Sequence, residues 1–193
     1  TIRDGAGNNA ILTLAAPGET NSLAASADIV LDGTIPYLTS VNSGLSNGHY
    51  NEGDVIPIQV NFSEQMTVTG SPQLSLEFGD IDYPATYNSG SGSNQLIFNY
   101  TVLAGNMSND LDYSNTSSLS LNGGTITDIA GNAAVVTLPA PGETNSLGAN
   151  KAIVIDTESP TITSVTSSAL DGTYKVDDVI PILVTFSEAV FVT

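Results

Sequence analysis

Hydrophobic and polar residues alternate in several short stretches of the chain. In residues 54–62, every second position from residue 56 is apolar: Ile56, Ile58, Val60 and Phe62. Residues 72–78 and 94–102 repeat the alternation, with apolar Leu74, Leu76, Phe78, Leu96, Phe98, Tyr100 and Val102. Because successive side chains of a β-strand point to opposite faces, an alternation with period two predicts strands that bury one face.

Turn-forming residues separate these stretches, in the strings SNG, GSP, NSGSGSN and NGG. No apolar stripe with a 3.6-residue period continues for three turns, so long helices are not expected. About eight or nine short strands in roughly 124 residues predict an all-β fold whose sheets pack face to face as a β-sandwich. Pro57 and Pro181 lack an amide hydrogen, which predicts an edge or bulged strand at those points.

Residues 1–69 and 125–193 are two copies of one sequence. They align without a gap at an offset of 124 positions, and 39 of the 69 aligned pairs are identical. TIRDGAGNNA is matched by TITDIAGNAA, APGETNSL by APGETNSL, and DVIPIQVNFSE by DVIPILVTFSE. Because near-identical segments in series fold as similar units in series, the sequence predicts part of a tandem array with a repeat period of 124 residues.

Two short segments have the composition of linkers between modules. VIDTESP and its counterpart IVLDGTIP each join a strand-like run to polar residues and a proline. They predict one complete module at residues 34–157, the central module. Residues 1–33, the tail segment, are then the C-terminal part of a preceding module. Residues 158–193, the head segment, are the N-terminal part of a following one. Together the two fragments lack a counterpart of residues 70–124, so they are not expected to complete each other across molecules.

Acidic residues dominate the charge. The chain has 20 Asp and Glu against three basic residues, which gives a net charge of −17. Such a surface repels nucleic acid and anionic membranes, so neither is an expected partner. No apolar run approaches the roughly 18–20 residues of a membrane-spanning helix, and membrane insertion is not expected. Hydrophobic residues still make up 40% of the chain, which indicates a folded protein, and cysteine is absent.

Five successive motifs carry a resemblance to a known family: GDVIPIQVNFSE, TGSPQLSLEFG, YNSGSGSNQLIFNYTV, DLDYSNTSSLSLNGGTITDIAGNAA and GANKAIVIDTESPTITSV. Together they resemble the bacterial immunoglobulin-like repeats of giant secreted surface proteins, the extender modules of biofilm and RTX-type adhesins. The resemblance covers the whole chain. It implies Ig-like Greek-key β-sandwich modules in secreted, extracellular stalks at the cell surface, often with cadherin-like calcium at the junctions. The linkers here have fewer consecutive Asp and Asn residues than cadherin linkers, so ligand assignments do not carry over.

Carboxylates recur at matched positions of the two copies. Calcium takes six to eight oxygen ligands from Asp, Glu, Asn and backbone carbonyls, usually from several chain segments. The candidate ligands lie in the DxAGN turns, the linkers, the residue before VIPI and the FSE motifs: Asp4, Asn8, Asp32, Asp54, Glu64, Asp128, Asn132, Asp156, Asp178 and Glu188. A large acidic excess at a crowded junction favours bound cations, so Ca²⁺ is the expected cofactor.

Strand directions predict where these ligands meet. The last strand, at about residues 150–155, runs toward the C-terminal end of the central module. A strand at 134–138 antiparallel to it places the DIAGN turn at that same end. One junction site is then expected to contain Asp128, Asn132, Asp156 and Glu188. A second, one period earlier, is expected to contain Asp4, Asn8, Asp32 and Glu64. Asp54 and Asp178 are expected at the far end from their own glutamates.

A purely structural role is the alternative for each of these residues. Asp and Asn accept hydrogen bonds from their own backbone in turns, and glycine accepts a positive φ there. D-x-A-G-N is therefore also a good turn sequence. Similarly, an Asp that precedes T-x-x-P is compatible with a solvated linker position.

Catalytic motifs are not found in the sequence. His49 is the only histidine, and its counterpart in the second copy is Thr173, so a repeated active site cannot depend on it. No G-x-S-x-G elbow, cysteine nucleophile or HExxH motif occurs. Asp110 and Asp112 suggest a glycosidase pair, but their turn-like surroundings favour a solvated loop. Tyr113 is expected in the core or at a strand corner. The chain is not expected to be an enzyme.

The sequence thus predicts a structural extender segment of a secreted cell-surface repeat protein, an adhesin stalk or an extracellular filament. Its expected partners are the neighbouring modules of the same chain, with identical chains in a filament as an open possibility. A carbohydrate- or cell-binding module that uses loops 78–94 or 103–118 is the main alternative. A non-catalytic accessory domain of a secreted hydrolase is the weaker one. Loops that differ sharply between modules would favour recognition over a stalk.

Overall fold

The computed structural model describes residues 1–79 and 81–192. The chain divides into two compact units, Thr1–Thr34 and Ile35–Thr193. Strands make up 38% of the residues and helices only 4%, so the predicted all-β class is confirmed. The boundary predicted between the central module and the head segment stays a prediction, because this division does not separate them.

The helices and strands are, in chain order, α1 (Leu23–Ser26), β1 (Leu38–Ser43), β2 (Gly48–Tyr50), β3 (Val55–Thr69), β4 (Gln73–Leu76), β5 (Tyr83–Ser89), β6 (Ser93–Thr101), β7 (Met107–Ser108), β8 (Leu119–Ser120), β9 (Thr125–Thr127), α2 (Leu147–Asn150), β10 (Ile153–Asp156), β11 (Ile162–Ser167) and β12 (Ile182–Phe186).

The described strands of the second unit form three sheets. The largest has the order β1-β3-β6-β5-β4-β8, with all these neighbours antiparallel and β9 paired to the far end of β3. In a second sheet, β10 lies parallel to β2 and antiparallel to β7. The hairpin of β11 and β12 is a separate two-stranded sheet. The sheets are mostly antiparallel, as expected for strands that alternate apolar and polar side chains.

Strand β3 lies between β1 and β6 and supplies the centre of the core. Its predicted apolar face is buried, with Ile56, Ile58 and Val60 inaccessible to solvent and Phe62 nearly so. The apolar face of β6 and the Leu74 and Leu76 side chains of β4 are buried against it. Each such side chain contributes about 1.5–3 kcal/mol on leaving water. The period-two pattern therefore predicted the inward face of these strands correctly.

Tyr113 is buried beside this core, and its hydroxyl donates a hydrogen bond of 2.8 Å to the carbonyl of Pro139. Burial raises the pKa of the Tyr113 hydroxyl, and the negative charge of Asp112 raises it further. The hydroxyl therefore stays protonated and available as a donor. The prediction of a core or corner tyrosine is confirmed.

Strand β3 is open on its β1 side at Pro57, because β1 pairs with β3 only as far as Ile58, while β6 still pairs with it there. Pro57 itself therefore lies at an edge, as predicted. Two other sequence predictions differ from the structure. Residues 134–138 form no strand, and Val135 instead makes a single parallel bridge to Tyr37. The predicted loop at 78–94 contains β5.

The terminal segments expose the residue positions that the central module buries. Leu147 in α2 is fully buried, whereas its counterpart Leu23 in α1 is 71% exposed. Val41 in β1 is fully buried, whereas its counterpart Val165 in β11 is 62% exposed. Leu147 and Val41 are therefore packed in the central module, whereas Leu23 and Val165 have little packing among the residues that the structure describes.

The contrast between Leu23 and Leu147 gives a matched pair of variants. We expect Leu147→Ala to reduce the free energy of unfolding by about 2–5 kcal/mol, because it removes a buried side chain and leaves a cavity. Leu23→Ala removes the same atoms from an exposed site and is expected to change it by less than about 0.5 kcal/mol. Urea unfolding followed by circular dichroism measures both. Equal losses in the two variants would contradict the burial assigned to Leu147.

Candidate metal centre

The DIAGN turn is a closed hydrogen-bonded unit around Asp128. Strand β9 leads into it, and Thr127 bridges Ala133 on the way out. The Asp128 amide donates to the Asn132 carbonyl at 3.0 Å. One carboxylate oxygen of Asp128 accepts from the Asn132 amide at 2.8 Å, and the other accepts from the Asn132 side-chain amide at 2.7 Å. The turn residues Asp and Asn thus hold the loop by themselves.

Asp128 is only 2% exposed, so its charge state matters for stability. Burial raises the pKa of the Asp128 carboxyl, but the hydrogen bonds that Asn132 and the Gly131 and Ala130 backbone donate to it lower the pKa by more. The net result is a pKa below the ordinary value, because these donors favour the ionised form. Asp128 is therefore a carboxylate at neutral pH.

Glu64 lies next to this carboxylate. It is half buried on β3, three residues before Thr67, which pairs with Thr127 of β9. A carboxylate oxygen of Glu64 lies within 4.8 Å of one of Asp128. Two negative charges at this separation repel each other, and a bound cation removes the repulsion. Glu64 and Asp128 are thus two predicted ligands that the structure brings together, and their oxygen chemistry suits Ca²⁺.

Asp156 lies at the opposite end of the module. Strand β10 runs parallel to β2, so Asp156 lies near the turn at residues 51–54 that follows β2. Asp54 is at this end too, because its carbonyl accepts a 2.9 Å hydrogen bond from the amide of Val102 at the end of β6. Ten residues of chain, mostly β3, separate Asp54 from Glu64, which corresponds to roughly 30 Å of extended strand.

The expected meeting of Asp128 and Asn132 with Asp156 is therefore wrong. That expectation rested on a strand at 134–138 antiparallel to the last strand. Val135 instead exchanges backbone hydrogen bonds with Pro36 and Leu38, at the start of the module. Pro139 and Pro141 follow, and neither has an amide hydrogen with which to continue a ladder. The placement of Asp54 at the far end from Glu64 is confirmed, while the approach of Glu188 to Asp156 stays a prediction.

The other predicted aspartate and asparagine ligands lie in turns whose hydrogen bonds are the same in the two sequence copies. Asp4 accepts from the Asn8 backbone at 2.8 Å and from the Asn8 side chain at 2.9 Å, as Asp128 does with Asn132. These hydrogen bonds lower the pKa of Asp4 as well. The linker aspartates each accept one bond of 3.0 Å from the amide two residues on, Asp32 from Thr34 and Asp156 from Glu158.

Asp54 and Asp178 also match each other. Asp54 accepts from the Asn51 amide at 2.8 Å, and Asp178 accepts from the Lys175 amide at 2.9 Å. Glu188 follows β12 and is exposed. The structural alternative therefore describes part of what these aspartates do, because each of them stabilises a turn through its own side chain. Calcium takes several oxygen ligands, and Glu64 is a second carboxylate beside Asp128.

Asp110 and Asp112 form a second carboxylate pair, which the sequence predicted to be a solvated loop. A Cβ placed on Gly148 would lie 3.0 Å from an Asp112 carboxylate oxygen and 3.4 Å from an Asp110 oxygen, so both oxygens face this glycine. The same Asp112 oxygen accepts from the Gly142 amide at 3.0 Å. Partial desolvation raises the pKa of Asp110, and the charge of Asp112 raises it further. Residue 148 is glycine, whereas its counterpart in the first copy is Ala24. This difference is the sequence signal that two carboxylates lie close to the backbone at Gly148.

None of three comparisons, with protein families, with curated proteins and with solved structures, finds a match to this chain. Within residues 1–79 and 81–192, no helix has the length and apolar character needed to cross a membrane.

The lowered pKa of Asp128 predicts the pH dependence of one variant. Because the folded-state pKa lies below the ordinary value of 3.8, the ionised form stabilises the fold above that value, and this stabilisation is lost as the pH falls through the folded-state pKa. Asp128→Asn is expected to lower the urea midpoint of the β-sheet signal at pH 7, by an amount that shrinks below about pH 4. Asp4→Asn removes the same bonds from an exposed turn and is expected to leave that midpoint unchanged. A pH-independent difference would contradict the assignment.

Asp110 predicts the opposite sign. Its folded-state pKa is raised, so the protonated form is the stabilising one, and its contribution is lost as the pH rises through the raised value. Asp110→Asn is expected to stabilise the protein at pH 7 by on the order of 0.5 kcal/mol, a small effect because the site is exposed. The gain should vanish below the ordinary pKa. Glu52→Gln, in an exposed turn, is the control, and a destabilised Asp110→Asn at pH 7 would refute the prediction.

Proposed function

We propose that this chain is a structural extender segment of a secreted cell-surface repeat protein, such as an adhesin stalk or an extracellular filament. In this proposal the modules are Ig-like Greek-key β-sandwiches with a repeat period of 124 residues. The observation that carries the proposal is the agreement between sequence copies and local structure. Residues 124 positions apart form the same turns in the tail segment, and the same strand pairing in the head segment, as their counterparts in the central module.

Two examples support this agreement. The Tyr50 hydroxyl donates to the Ser46 carbonyl, and the Tyr174 hydroxyl donates to the Leu170 carbonyl, 124 positions further on. Leu38 pairs with Phe62 in the first copy, and Ile162 pairs with Phe186 in the second. Both strand pairs also contain an irregularity at the same point. A chain that repeats one module in series is suited to span distance, since each module contacts only its neighbours.

Calcium is the proposed stiffening ligand. Glu64 and Asp128 supply two neighbouring carboxylates at one end of the module, and the net charge of −17 is unbalanced in the sequence. Extracellular calcium sites typically have dissociation constants of about 10⁻⁴–10⁻³ M. At about 1 mM calcium, a site of about 10⁻⁴ M adds about 1.4 kcal/mol. Such a site restricts the motion between modules more than it determines whether they fold.

A tandem of three copies of residues 34–157 tests the proposal. With calcium we expect a narrow distribution of inter-module angles and a long maximum dimension in small-angle X-ray scattering. Chelation with EDTA is expected to shorten the maximum dimension while the β-sheet circular dichroism signal is retained. A compact particle in both conditions would refute the extender function. An extended particle unaffected by EDTA would refute only the calcium part.

A charge-removing variant tests the ligand assignment. Glu64→Gln is expected to weaken calcium binding, measured by titration calorimetry, at least about tenfold, because the number of ligand charges sets the affinity of such sites. Glu77→Gln removes a charge from an exposed strand end and is the matched control. Unchanged affinity in Glu64→Gln would remove this glutamate from the ligand set.

A further inference from the structure

The linker that follows the central module is bonded to the body of that module through Thr157. The Thr157 hydroxyl accepts a hydrogen bond of 3.0 Å from the Gly105 amide and donates one of 3.1 Å to the Asn106 carbonyl. Both partners lie in the β6–β7 turn, residues 103–106, which joins those two strands. Because a hydroxyl accepts and donates at the same time, one side chain connects the linker to two backbone groups that lie 52 and 51 residues earlier in the chain.

The β6–β7 turn has internal hydrogen bonds of its own. Asn106 is 2% exposed, and its side-chain oxygen accepts from the Leu103 amide at 2.9 Å and from the Tyr100 hydroxyl on β6. The Asn106 amide donates in turn to the Leu103 carbonyl at 3.1 Å. Gly105 has a φ of 85°, a conformation that glycine adopts without steric cost. The turn therefore presents its two backbone partners to Thr157 in a fixed arrangement.

The residues on either side of Thr157 are held as well. Asp156 pairs with Met107 where β10 lies antiparallel to β7. The Asp156 carboxylate accepts a hydrogen bond of 3.0 Å from the Glu158 amide. Three consecutive residues are thus restrained, the first by strand pairing, the second by its hydroxyl and the third by an aspartate turn. The module itself therefore determines the direction in which the chain leaves it.

The linker before the central module has glycine at the corresponding position. Thr157 aligns with Gly33 at the offset of 124 residues. Glycine has no hydroxyl, and its backbone has more conformational freedom than that of any other residue. The aspartate turn is the same in both linkers, since Asp32 accepts from the Thr34 amide at 3.0 Å. The two linkers differ in the identity of one residue, so Gly33 cannot make the hydroxyl contact whatever module precedes it.

We propose that Thr157 locks the junction after the central module, whereas Gly33 makes the junction before it a hinge. The lock consists of the two hydrogen bonds of the Thr157 hydroxyl to the β6–β7 turn, and it needs no metal ion. This inference rests on the proposed extender function for its consequence in an array. There, the residue at this one linker position sets whether a junction is stiff or bends, independently of calcium.

Hydrogen exchange of the Gly105 amide, measured by NMR on the 193-residue chain in EDTA, tests the contact. Thr157→Val keeps the shape of the side chain and removes the hydroxyl, so this amide should exchange about three- to tenfold faster. Thr157→Ser keeps the hydroxyl and should keep the protection. Thr39→Val is the matched control, because it removes a 3.1 Å bond from a threonine hydroxyl to the Asn61 carbonyl elsewhere in the module. Unchanged exchange at Gly105 in Thr157→Val would overturn the lock.

Backbone order parameters of residues 157–159, from NMR relaxation of the same chain in EDTA, test the stiffness. Thr157→Gly gives this linker the residue of the other one. The order parameters should fall from about 0.85, typical of rigid backbone, toward about 0.6, and Thr157→Ser should retain the higher value. Order parameters that stay high in Thr157→Gly would overturn the hinge assignment. A compact tandem in the scattering experiment would refute the extender function and leave the Gly105 exchange unaffected, so the two failures are distinguishable.

Discussion

The burial of one face of β3 is the constraint on which the rest of the structure depends. This strand has 15 residues and bonds to β1, β6 and β9, so three strands take their register from it. A shift of one residue would turn Ile56, Ile58, Val60 and Phe62 to solvent, and for this reason the register is strongly specified. The length of β3 also sets the separation of the two ends of the module, with Asp54 at one end and Glu64 at the other.

The sequence predicted the strands with regular alternation correctly, but it did not predict the path of the irregular segment after β9. Alternation in 54–62 and 94–102 predicted both the strands and their buried faces, because period two reports directly on burial. Residues 133–146 are held by single bridges, turns and the Tyr113 hydroxyl, none of which produces a periodic pattern. The prediction of which ligands meet was wrong for the same reason, because the position of Asp128 depends on the path of this segment. Glu64 was among the predicted ligands, but Asp128 was expected at the other junction.

The aspartates predicted as ligands have a structural role whether or not they bind metal. Asp128, with its amide and carboxylate bonds to Asn132, is held in one position before any ion arrives. A carboxylate already fixed in this way loses little conformational freedom on binding a cation. A bound ion would then act mainly by removing the repulsion between the Asp128 and Glu64 carboxylates. Turn formation and ligation are therefore compatible roles of one side chain.

Near-identical repeats in one chain can exchange partners while they fold, which leads to misassembled modules. The differences between the two copies fall where they oppose such exchange. The Asn150 and Lys151 side chains donate to the carbonyls of Val41 and Leu45 at 2.7 and 2.8 Å, and the first copy has Ser26 and Ala27 at these positions. Gly148 leaves room for Asp112, where Ala24 would bring a methyl group. A few substitutions at one interface thus favour the pairing of the central module with its own C-terminal part.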